Sequence, residues 1–135
     1  MRIEGWETRL NDVIEAALCR PFRWGENDCC LFAAECVKAV TGADVGAPYR
    51  GLYDSAQGAA CLLDELGGLE GVVSVCFAGF PEIPPAMAQR GDLVLTLNAG
   101  REVLGVVTAV QIAVPGESGL VFLPVSTASK AWRVC

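Results

Sequence analysis

The tripeptide Asp28-Cys29-Cys30 sets two thiols behind a carboxylate where a helix is expected to begin, and the 135-residue chain contains no histidine. A cysteine in the first turn of a helix is a candidate nucleophile, because the free backbone amides and the helix dipole favour thiolate. Such chemistry also needs a base, and imidazole serves best because its pKa lies near neutrality. The substitutes on offer are Asp92, Glu102 and Glu117, carboxylates whose reference pKa near 4 is poorly matched to a thiol. Asp28 acts the other way, since its charge beside Cys29 raises the thiol pKa. Positioned proton transfer contributes about 10²- to 10⁴-fold in rate. A chain that lacks it is expected to be no enzyme.

The cysteines number seven, at positions 19, 29, 30, 36, 61, 76 and 135. No Cys-x-x-Cys pair occurs, so a tetrahedral zinc site would need four sequence-distant thiolates; no metal ligand and no cofactor are assigned. An iron-sulfur cluster tolerates irregular thiolate spacing, which keeps a thiolate-bound metal or cluster module as an alternative. In a reducing compartment the thiols are expected to be free and to pack as small apolar residues. Cys29 and Cys36 lie on one helical face and are expected to pack against a sheet, whereas Cys30 lies off that stripe.

The length is that of one domain, residues 1–135, able to bury roughly two thirds of the surface of its unfolded chain. A hydrophobic fraction of 53% suggests apolar surface covered by another chain. The net charge of -6 and the scattered arginines argue against nucleic acid as a partner. No apolar run approaches the roughly 18 residues of a membrane span, and Met1-Arg2-Ile3-Glu4-Gly5-Trp6 carries no signal-peptide core. The chain is expected to be made in the cytoplasm and not to be embedded in a membrane.

The first half has helical periodicity. Trp6, Leu10, Val13, Ile14, Ala17 and Leu18 predict an amphipathic helix over roughly residues 4 to 19. Asn27 or Asp28 caps a second, with Cys29, Phe32, Cys36, Val37 and Val40 inward and Thr41-Gly42 as its end. Asp54-Ser55 caps a third, with Ala59, Leu62, Leu63 and Leu66 inward and Gly67-Gly68 as its stop; a shorter one is predicted over Leu69 to Phe77. The second half has the pattern of strands: Leu93 to Leu97, a buried strand from Val103 to Val114, Leu120 to Val125, and Ala131 to Val134. Helices followed by strands make an α+β domain, with N-terminal helices on a small antiparallel sheet. Trp24 and Trp132 are expected to be core or interface anchors. Asp92 is expected to be a strand-entry turn residue. Arg50, between Tyr49 and Tyr53, suits either a local hydrogen-bond network or a contact with a partner.

The stretch Pro21-Phe22-Arg23-Trp24-Gly25-Glu26-Asn27-Asp28-Cys29-Cys30, with Arg90-Gly91-Asp92-Leu93-Val94 further on, resembles the NlpC-type cell-wall cysteine peptidases, papain-like enzymes that cut peptidoglycan peptides. Together with Thr41-Gly42, Tyr49-Arg50-Gly51-Leu52-Tyr53, Gly67-Gly68-Leu69 and Ala131-Trp132-Arg133, the chain looks like a compact branch found in tail gene clusters of tailed phages and prophages. The resemblance implies a papain-like fold with Cys29 at the nucleophile position. It puts Val103 where the family has its histidine base, and Val121 to Val125 where a polar residue orients that base. Phe22 stands where a tyrosine is common. The implied protein is a degenerate, non-catalytic component of a phage tail tip or baseplate that docks onto hub and tail proteins, with Trp24, Arg50, Tyr53 and Trp132 as partner contacts. Its old cleft would be filled by Val103, Phe122 and Leu123. In the finished particle it would reside in the tail and make transient contact with the cell wall. The alternative within the same resemblance is a cysteine hydrolase of peptidoglycan peptides using Cys29.

Overall fold

A computed structural model of the chain describes residues 1–77 and 79–135. Four helices precede a six-stranded sheet, and the fold is α+β. Helix α1 (Trp6–Ala17) starts after Gly5, whose positive φ of 77° turns the chain into it, and stops short of the predicted Cys19. Helix α2 (Cys29–Thr41) is capped by Asp28, whose side chain accepts from the Leu31 amide, and ends at Gly42 in the left-handed conformation. Ser55 caps α3 (Ala56–Leu66) through the Gly58 amide, and Gly67 and Gly68 turn the chain at once into α4 (Gly68–Cys76).

The sheet is antiparallel throughout, in the spatial order β1-β6-β2-β3-β4-β5. Its strands are β1 (Glu82–Ile83), β2 (Leu93–Asn98), β3 (Arg101–Val107), β4 (Gln111–Gly116), β5 (Gly119–Pro124) and β6 (Lys130–Trp132). The single strand expected from Val103 to Val114 is therefore two. The chain reverses at Thr108, whose amide and hydroxyl both donate to the Gln111 carbonyl. The apolar run is continuous because both strands of this hairpin are buried, so composition did not mark the turn.

Helix α2 forms the centre of the core. Phe32, Cys36, Val37 and Val40 are buried as expected, and so are Leu31, Ala33, Ala34 and Ala39, so the helix is covered on nearly every side. One face of the sheet packs on it with Leu93, Leu95, Leu104, Val106, Ala113 and Trp132. The other face has its own cluster, in which Val94, Val107, Ile112, Val114 and Ala131 gather Val103 and Leu123.

Asp92 is more than a turn residue. Its carboxylate is fully buried and accepts from Arg2 at 2.8 Å, from Nε of Arg133 at 3.0 Å, and from the amides of Gln89 and Val134 at 2.8 and 3.2 Å. Arg2 also donates to the carbonyls of Arg90 and Val134. The start of the chain, the turn into β2 and the end of the sheet are thus tied at one anion, whose burial is compensated by two guanidinium groups and two amides.

Candidate functional site

The site is built around the start of α2. Residues 23–27 form a tight loop closed by two backbone hydrogen bonds between Arg23 and Asn27, and Gly25 within it has a φ of 81°. A Cβ on Gly25 would lie 1.9 Å from the Tyr53 carbonyl oxygen, so only glycine lets the segment 49–53 pack on this loop. The Gly51 amide donates to the Gly25 carbonyl across the same contact. Asp28 completes it. One carboxylate oxygen accepts from the Leu31 amide at 2.9 Å, and the other accepts from the Gly25 amide at 3.1 Å and from the Tyr53 hydroxyl.

Beyond Asp28, the thiols of Cys29 and Cys30 lie 3.9 Å apart, half-buried, at the edge of a cavity of about 700 Å³. The cavity opens where the sheet divides. Strand β2 pairs with β3 out to Asn98 and Arg101, whereas β3 pairs with β4 only at Val106 and Val107. Pro115, with no N–H to donate, lies in the strand beyond the point where that ladder stops. Val103, Glu102 and Arg101 from β3 and Pro115, Gly116 and Glu117 from the end of β4 form one wall, and α3 and α4 form the opposite one.

The cleft is therefore open, contrary to the expectation that Val103, Phe122 and Leu123 fill it. Val103 lines its edge while packing, like Leu123, on the far-face cluster of the sheet, and Phe122 is exposed. Cys36 is buried as expected; Cys29 packs against the core in part and also lines the open cavity. Helix α3 shows the same correction, since Ala59 is buried but Leu62, Leu63 and Leu66 are half-buried against the cavity.

The electrostatics of the thiols differ from the sequence expectation. Cys29 is drawn below the usual thiol range, foremost by its hydrogen bond with Cys30 and further by the backbone of Leu104 and Cys30, against opposition from burial and Asp28. The neighbouring Asp28 thus acts as expected but is outweighed. Cys30 is pushed well above the usual range by the same hydrogen bond, by burial, and by the charges of Cys29, Asp28 and Cys76. Tyr53 is raised by burial and by Asp28, and Tyr49 is raised by its hydrogen bond with Cys76.

Of the other residues singled out in the sequence, Trp24 lines the cavity and meets Phe22 edge-to-face at 4.7 Å. Tyr53 lines it too, with its hydroxyl on Asp28. Arg50 has its guanidinium engaged by Glu35 at 2.6 Å and by Asp44 at 2.7 and 3.0 Å, which joins α2 to the following loop. Trp132 lies in the core at 7% exposure. Of the substitute bases, Glu102 and Glu117 line the cavity with Cys29, and Asp92 is held elsewhere by its arginines. Sequence reasoning missed Tyr49 and Cys76, which also face this space.

Among the described residues, no three cysteine or carboxylate side chains are placed to hold a metal ion. Among them, too, no helix is long and apolar enough to cross a membrane. No curated protein matches the chain. Over residues 1–134 it matches the model of a family described as a domain of unknown function (DUF6950), and the chain belongs to that family.

Proposed function

We propose that the protein is a non-catalytic component of a phage or prophage tail tip or baseplate, a degenerate NlpC-type domain that keeps the peptidase cleft as a binding pocket and docks onto hub and tail proteins. The tail context rests on the resemblance of the Trp24 to Cys30 and Arg90 to Val94 motifs. The loss of chemistry rests on one observation: Asp28, the only buried carboxylate beside Cys29 among the described residues, already accepts from Leu31, Gly25 and Tyr53. It is committed to holding the loop, and the β3 position where the peptidases carry histidine is Val103. In this reading the protein is made in the cytoplasm and ends in the virion.

The experiment is paired. Purified protein incubated with peptidoglycan and its stem peptides is expected to release no new amine ends. In a phage deleted for the gene, Cys29→Ala is expected to restore tails as fully as the parent chain. Normal tails without the gene would overturn the structural role.

The second reading is a cysteine hydrolase of cell-wall peptides. It draws support from the lowered pKa of Cys29 and from Glu102 and Glu117 on the same cavity. Peptide release that disappears in Cys29→Ala would establish it.

A further inference from the structure

Helix α3 has an apolar stripe that the protein buries only in part. Leu62, Leu63 and Leu66 are half-buried, as is Leu69 at the start of α4; Leu63, Leu66 and Leu69 touch the edge of the core, and all four line the cavity. An amphipathic helix ordinarily hides such a stripe against the core. At about 700 Å³, the space is of the size that encloses a small molecule.

The polar groups converge at one end. The thiols of Cys29 and Cys30, the Tyr53 hydroxyl and the start of α2 meet there, and the backbone of Cys30 and Leu104 approaches the Cys29 sulfur. The charged lining residues are Asp28, Glu102 and Glu117 against Arg101 alone, so a carboxylate or phosphate would meet net repulsion.

We infer that this cavity binds a small uncharged ligand with an aliphatic or aromatic body, the body lying against α3 and α4 and one end reaching Cys29. The inference rests on the reading that the cleft binds without cutting. It names the class of ligand that the cleft would take.

The test uses the thiols as reporters in the full-length protein. The rate of labelling of Cys29 by N-methyl-, N-butyl- and N-octylmaleimide is followed by mass spectrometry, with exposed Cys61 on the outer side of α3 as the internal reference. Full removal of a methylene from water favours binding about fourfold. The Cys29 to Cys61 rate ratio is therefore expected to rise at least about tenfold from methyl to octyl, and to fall when the alkyl chain ends in a carboxylate. Leu66→Asn is expected to flatten the rise without adding a charge to the cavity. A ratio in the parent protein that is flat or falls with chain length overturns the inference, and needs no variant. Turnover of a cell-wall peptide would instead overturn the non-catalytic reading, so the two failures are distinguishable.

Discussion

The hydroxyl of Tyr53 donates to Asp28, and through that carboxylate it reaches the first turn of α2 and the loop at Gly25. Tyr53→Phe removes one donor from a carboxylate that is 2% exposed, and is expected to cost about 1 to 3 kcal/mol in urea unfolding. The same contact sets a pH dependence. Tyr53 is raised above the ordinary tyrosine value near 10, so its contribution to stability is complete below that value and is lost as pH climbs above it toward the folded-state pKa. Stability is expected to decline above about pH 10, and to decline less in Tyr53→Phe.

The two adjacent thiols are expected to separate on titration. Iodoacetamide should modify Cys29 at lower pH than Cys30, while buried Cys36, raised by desolvation, stays unlabelled until the protein unfolds. Because the hydrogen bond from Cys30 is the foremost cause of the low Cys29 pKa, Cys30→Ala should move the Cys29 labelling midpoint upward. An unchanged midpoint would assign the shift to the backbone of Leu104 instead.

Asp92→Ala leaves Arg2 and Arg133 without their anion and two amides without an acceptor. The expected loss is about 3 to 5 kcal/mol, the range for breaking a buried ion pair from one side. Arg133→Ala should lose less, because Arg2 still compensates the carboxylate and the Arg133 side chain is 32% exposed. Equal losses in chemical denaturation would contradict the arrangement.

Gly25→Ala combines a left-handed backbone with a Cβ placed on the Tyr53 carbonyl. The conformational penalty alone is roughly 1 to 2 kcal/mol, and the overlap adds to it because both sides are backbone. The variant is expected to disturb the fluorescence of Trp24 and to change the rate of Cys29 labelling, even where the rest of the sheet still folds.

The helices were legible because their apolar periodicity and caps agree, with Asp28 and Ser55 opening and Gly42 and Gly67 closing them. The division of β3 from β4 was not, because Thr108-Ala109-Val110 turns the chain without glycine, proline or asparagine. Strand β1, of two residues, is too short to have a pattern. The place of Cys29 directly behind a helix cap was legible. The open cavity was not, since a leucine such as Leu62 has the same sequence signature whether it faces a core or an empty space. The role of Asp92 was hidden by distance along the chain, its partners being Arg2 and Arg133.

That last arrangement has a mechanical consequence. Arg2 donates to the Val134 carbonyl and both ends of the chain meet at Asp92, so residues 2 and 134 are neighbours in space. Tension applied between the two ends would load this cluster before the strands of the sheet begin to separate. The first rupture under force would then be electrostatic, and its threshold would depend only weakly on added salt because the anion at its centre is fully buried.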